Sequence, residues 1–202
     1  MEGLRTRAAT LAAAARALNA ASAVDAPFSL AFLTDMRGPD PELVARSLPR
    51  GAAIILRHYE DRKRAALARR LRVLTAARGA LLLIGADPEL ARVVGADGVH
   101  WRSGQLDAAR PLPGLIVSAA CHSAVELRAA YAAGADCAFA SPVFPTRSHP
   151  EAELLGRDRF LRLAAAAPLP VLALGGIDER TAARLAGSNV AGFGAVGAFA
   201  AR

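Results

Sequence analysis

Residues 170–178 read PVLALGGID, an apolar run of strand length that stops on two glycines and an aspartate. Two further stretches end the same way: GADGVHW at 95–101 and GADCAFASPVFPTRSH at 134–149 each close an apolar run on small or polar residues. A parallel barrel puts its chemistry at the carboxyl ends of its strands, where these residues fall. Working outward, apolar runs recur at 28–33, 52–56, 80–84, 98–101, 115–118, 137–140, 171–174 and 192–196, with helical patterns between them. Their residues are apolar on both faces rather than alternating with polar ones, which suits a parallel sheet covered by helices. Eight such runs predict an α/β fold, a (β/α)8 TIM barrel with an extra N-terminal helix.

Helix starts support the same reading. Asp40-Pro41 and Asp87-Pro88 each set an N-cap residue before a proline, Ser123 and Glu126 have capping-box spacing, and Gly134 sits where a helix should stop. An open doubly wound sheet would carry a glycine-rich turn after its first strand; residues 34–37 here are Thr-Asp-Met-Arg. At 202 residues the chain has room for one enzyme-sized domain. Residues 1–26 are expected to form a helical extension and residues 27–202 the barrel.

The net charge of +7 arises from 25 Lys and Arg against 18 Asp and Glu, scattered rather than gathered in an arm. Nucleic acid is therefore not the expected partner, and small anionic ligands such as phosphate esters are. The densest cluster, Arg62, Lys63, Arg64, Arg69, Arg70 and Arg72, shares a helical pattern with Leu67, Leu71 and Leu74 and reads as a solvated helix face. Cys121 and Cys137 form neither a disulfide framework nor a close metal-binding pair and read as small core residues. The alanine-rich opening holds Arg16 and Asn19 and reads as an amphipathic helix rather than a signal peptide. With no apolar stretch long enough to span a bilayer, a soluble cytoplasmic protein without a membrane partner is expected, self-association into a homo-oligomer being left open.

Several strand ends offer chemistry. Gly175 and Gly176 close the seventh strand, where the backbone can approach an anion and aim N–H groups at it, and Gly194 and Gly197 on and after the last strand can complete that phosphate site. Glycines also simply permit tight turns and close packing. The loop SPVFPTRSH holds Thr146, Arg147 and Ser148, which can grip a phosphate or diphosphate, or form no more than a proline-stiffened surface loop. Arg57 ends the second strand and can point into the mouth, and His149 in an anion-lined loop can exchange protons, which makes these two the candidate catalytic residues. His100 reads first as a histidine satisfied inside the barrel, His122 as a capping neighbour of Ser123, and His58 as the residue following Arg57.

In this order, LTD at 33–35, ILR at 55–57, GADGVHW, the SPVFPTRSH loop and LALGGI at 172–177 resemble the thiamine-phosphate synthase family and its relatives, the TenI-type thiazole tautomerases. The resemblance runs from about residue 28 to residue 199. It implies a barrel that joins hydroxymethylpyrimidine diphosphate to a thiazole phosphate, with Mg²⁺ helping diphosphate to leave.

The chain departs from that pattern at several places. The family's Gln-Leu-Arg-x-Lys becomes Ile55-Leu56-Arg57-His58-Tyr59, keeping the Arg alone, and its Asn-Asp-Arg becomes Gly85-Ala86-Asp87, losing a metal-binding Asp. The second metal-binding Asp falls on Gln105 without gaps, or on Asp107 if an insertion is allowed, so Asp107 is the one remaining candidate ligand for Mg²⁺. The family's Ser before its Ser/Thr-His step falls on Ala120, its Thr-x-Thr-Lys loop becomes Thr146-Arg147-Ser148-His149, and its terminal phosphate-binding Ser becomes Gly197. The tautomerase histidine corresponds to Pro142. The resulting expectation is a divergent family barrel that binds a phosphorylated thiazole-like substrate. Three activities stay open: the synthase transfer reaction, an isomerase reaction on a phosphorylated heterocycle, and non-catalytic ligand binding.

Overall fold

A computed structural model describes residues 2–22, 24–108, 111–146, 153–187 and 189–200, the side chains at 107 and 108 excepted. Eight strands, β1 (Leu30–Leu33), β2 (Ala53–Leu56), β3 (Leu81–Gly85), β4 (Gly98–Trp101), β5 (Ile116–Cys121), β6 (Cys137–Ala140), β7 (Val171–Ala173) and β8 (Val190–Ala195), form a closed barrel in chain order. Every pairing is parallel, and β1 closes the ring by pairing with both β2 and β8. Each strand lies on or within a few residues of the run predicted for it.

The helices are α1 (Glu2–Ser22), α2 (Pro41–Ala45), α3 (Arg64–Arg78), α4 (Pro88–Val94), α5 (Ala124–Ala132), α6 (Arg157–Ala165) and α7 (Glu179–Ala182). Asp40 caps α2 by accepting from the Glu42 and Leu43 amides, Asp87 caps α4 through the Leu90 amide, and Ser123 caps α5 through the Glu126 amide. The Glu126 carboxylate turns to the amide of His122 instead of that of Ser123, so the predicted capping box is half built. In α3, Leu67 and Leu71 are buried while Arg69, like Arg62 and Lys63 just before the helix, faces solvent, as a solvated face requires. Arg64 differs, and its place is described with the site.

Two apolar layers hold the barrel. The inner one includes Phe28, Leu33, Ile55, Leu83, Cys137, Phe139 and Leu172; the outer one lies between strands and helices. His100 sits inside, its Nδ1 3.0 Å from Ser118 Oγ and its ring edge-on to Phe139. Burial, assisted by the charge of Arg57, pushes its pKa down to about 3, so it is a neutral core histidine. The buried thiols of Cys121 and Cys137 are both pushed up by desolvation and belong to the core.

Helix α1 packs against β8, β1 and α7. Its Ala8, Leu11 and Ala15 are fully buried in the same outer layer as the later helices. The segment read as an extension thus packs as part of the helical layer. Among the described residues no helix is long and apolar enough to cross a membrane.

Candidate functional site

A cavity of about 1200 Å³ opens at the carboxyl ends of the strands. Its walls come from the turn after β1 (Asp35, Gly38), from Arg57 after β2, from His122 after β5, from Ser141, Pro142, Pro145 and Thr146 after β6, and from the ends of β7 and β8. Of the residues singled out in the sequence, Arg57, Thr146, Gly175, Gly176 and Gly197 line it together. Arg147, Ser148 and His149 lie outside the described residues, as does the side chain of Asp107.

Gly194 does not line the cavity. A Cβ there would stand 2.6 Å from Leu33 Cδ1 and 2.8 Å from Phe139 Cε1, so this glycine leaves room for the inner layer rather than for a ligand. His58 is buried away from the cavity, and its ring nitrogens have no hydrogen-bond partner among the described residues.

The end of β7 departs from ordinary strand geometry. Gly175 and Gly176 take φ of +93° and +64°, and a Cβ on Gly176 would stand 2.5 Å from the Pro145 carbonyl oxygen. The loop after β6 presses onto this backbone: the Val143 amide donates to the Leu174 carbonyl and the Phe144 amide to the Gly175 carbonyl. The glycines therefore serve packing first, and that packing fixes the peptide orientation beyond. The amides of Gly176 and Ile177 have no acceptor among the described residues, and both residues line the cavity. Successive unpaired N–H groups beside a cavity form an anion-binding concavity. Gly197 lines it from the β8 side.

Arg57 is held rather than loose. Its Nε donates to the Thr34 carbonyl at 2.8 Å, its amide donates to Thr34 Oγ1 at 2.9 Å, and its Nη2 lies 3.7 Å from Asp35 Oδ2. Burial lowers the guanidinium pKa while Tyr59 and Asp35 act to raise it; the group stays a cation, poorly hydrated and able to act strongly on a ligand. Asp35 is occupied in turn, its Oδ1 accepting from the Arg37 amide at 2.9 Å.

His122, left as a capping neighbour by the sequence, also lines the cavity. Its Nδ1 lies 2.8 Å from the Ser141 carbonyl oxygen. A carbonyl only accepts, so Nδ1 carries the proton and the Nε2 lone pair of the neutral ring is left as acceptor. His122 directly follows β5, whose end at Cys121 lies three residues beyond the predicted run 115–118, which is why its position at a strand end was not legible. Arg7 on α1 is a further cavity residue the sequence did not flag, because nothing local marks a helix residue whose partner lies 191 positions away.

The ends of β3 and β4 are filled. The Tyr59 ring lies against Gly85, where a Cβ would be 2.9 Å from Tyr59 Cε1. Arg64 and Arg102 place their guanidinium carbons 5.5 and 4.8 Å from that ring's centre. Arg64 donates to the Gly85 carbonyl and pairs with Asp87 at 3.5 Å. Ala86, at the predicted metal-ligand position, holds φ of +54° and offers no oxygen from its side chain. Among the described residues no three His, Cys, Asp or Glu side chains gather closely enough to hold a metal ion. Mg²⁺ demands an oxygen-rich, anionic setting, whereas here two guanidinium groups and a phenol ring accompany a single carboxylate, Asp87, already paired with Arg64, so the described residues do not fit it.

A family model described as thiamine monophosphate synthase matches residues 30–199. The thiamine-phosphate synthase of Pyrococcus furiosus is 30% identical over 176 residues, covering 84% of this chain and 85% of that protein. That of Chromobacterium violaceum is 38% identical over 152 residues, 70% of this chain and 72% of its own length. The thiamine biosynthesis bifunctional protein ThiM/ThiE of Symbiobacterium thermophilum is 41% identical over 136 residues, and the match spans 65% of this chain but 28% of that longer protein. Among solved structures, thiamine phosphate pyrophosphorylase from Pyrococcus furiosus superposes with a TM-score of 0.66 at 27% identity over 87% of each chain. FabK from Thermotoga maritima, at 16% identity and a TM-score of 0.62, shares the barrel alone. With its eight parallel strands, its strand-end motifs and a family match over nearly the whole barrel, the chain belongs to the thiamine monophosphate synthase family.

Proposed function

We propose that this protein binds a phosphorylated thiazole-like ligand of thiamine biosynthesis at the ends of β6, β7, β8 and β1, and works on it without Mg²⁺. The observation that carries the reading is the pair of unpaired amides at Gly176 and Ile177 beside the cavity. Phosphate oxygens accept from these N–H groups, and the heterocycle then extends toward Arg57 and His122. In the family's transfer reaction a diphosphate departs; here Arg57, desolvated and oriented by Thr34, is the group just after β2 that would stabilise the departing charge. No step is routed through a metal, because the described residues at the ends of β3 and β4 do not fit one.

Product formation from hydroxymethylpyrimidine diphosphate and thiazole phosphate, measured in Mg²⁺ and in EDTA alongside calorimetric binding, tests this. The expected result is thiazole-phosphate binding in both buffers and product formation no faster with Mg²⁺. Condensation that appears only with Mg²⁺ overturns the metal-free reading, and absence of binding overturns the cradle.

A second chemistry, proton exchange on the bound heterocycle, is favoured by the tautomer of His122. Deuterium uptake by thiazole phosphate that disappears in His122→Asn supports it, and uptake unchanged in that variant removes it.

A further inference from the structure

The helix at the start of the chain contributes to the cavity through one residue. Arg5 and Arg16 on α1 are exposed, while the side chain of Arg7 is 20% exposed and forms part of the cavity wall beside Gly197 and Ala198. Its Nε donates to the Ala198 carbonyl, which fixes the plane of the guanidinium at the end of β8. Its Nη2 stands 3.8 Å from Glu179, a loose ion pair rather than a tight hydrogen bond. A guanidinium has five N–H donors in a planar fork, so these two partners leave donors for an anion in the cavity.

From this placement we infer that Arg7 grips the phosphate of the bound ligand, opposite the Gly176 and Ile177 amides, so that the N-terminal helix supplies one wall of the phosphate site. Glu179 is then the counter-ion that the phosphate displaces or outcompetes. The inference rests on the cradle reading given above, and it adds a charge-assisted, bidentate contact to what are otherwise backbone contacts.

Calorimetry on the full chain with thiazole phosphate, its dephosphorylated alcohol and inorganic phosphate tests this, using Arg7→Gln, Arg7→Lys, Glu179→Gln and Arg5→Gln, with melting curves recorded for each. Expected results are a loss of about 30-fold in thiazole-phosphate affinity for Arg7→Gln with the alcohol unchanged, a smaller loss for Arg7→Lys, and a gain of about threefold for Glu179→Gln. Arg5→Gln should match the parent protein. Arg7→Gln binding the phosphate ester within twofold of the parent overturns the inference. So does a loss shared equally by ester and alcohol, which would mark Arg7 as an anchor for α1 only. Should Arg7→Gln fail to fold, Glu179→Gln decides, and no gain in phosphate affinity overturns it. A parent protein that binds neither phosphate nor the ester removes the cradle itself, and this inference with it.

Discussion

The mouth of this barrel has two halves built from different materials. At the ends of β6, β7, β8 and β1 it is open, and the groups facing the cavity include backbone amides at Gly176 and Ile177. At the ends of β3 and β4 it is filled by side chains, with Tyr59 lying against Gly85 under Arg64 and Arg102. A phosphate site made of peptide N–H groups persists as long as the backbone keeps its path. A metal site made of carboxylates vanishes with the carboxylates, and here Ala86 stands where one is expected. Substitution in sequence can therefore act unequally on one mouth, because the half whose chemistry is in the main chain does not depend on particular side chains.

Substitutions can break that contrast. The largest effect is expected at Gly176→Val, which sets a branched side chain at φ of +64° against the Pro145 carbonyl. Affinity for a thiazole phosphate should fall more than about 100-fold, read by calorimetry, with a lowered melting temperature as the loop after β6 is displaced. Next is Arg57→Met, which keeps the stem but removes the cation held by Thr34 and beside Asp35. A loss of about 30-fold in ligand affinity is expected, as for a charge-assisted contact in a desolvated setting. An equal loss from Tyr59→Leu would erase the distinction between the halves, since that residue belongs to the filled side.

Beneath both halves, His100 ties stability to pH. Its pKa is held down to about 3 by burial and then by Arg57, against about 6.5 when unfolded. A group with a depressed folded pKa contributes its full stability above the unfolded value and loses it as pH falls toward the folded one. Denaturant unfolding should show a loss of about 2 kcal/mol from this group between pH 6.5 and 5, reduced in His100→Gln. The smallest effect concerns the filled half: Ala86→Gly relieves a left-handed alanine and should raise stability by about 1 kcal/mol without changing ligand affinity.

The barrel was legible in the sequence because its strands are short apolar runs bounded by capping residues, and local pattern decides both. Asp40, Asp87 and Ser123 cap the helices predicted from them. The cavity was half legible. Gly175, Gly176 and Gly197 were found from their strand ends, but Gly194, on the same strand end, turns inward to make room for Phe139, a packing fact that depends on a residue 55 positions away. Arg7 was missed because α1 reaches β8 only through tertiary packing. The roles of Arg64 and Tyr59 were hidden likewise, since a basic helix start looks solvated until the chain folds it over a strand end.

The central claim is that the open half alone recognises the ligand, through its phosphate and without a metal. Calorimetry of thiazole phosphate and its dephosphorylated alcohol, each in Mg²⁺ and in EDTA, tests it most directly. The account predicts equal thiazole-phosphate affinity in both buffers and an alcohol bound at least about 100-fold more weakly. Binding that requires Mg²⁺, or an alcohol bound as tightly as its phosphate ester, would contradict it.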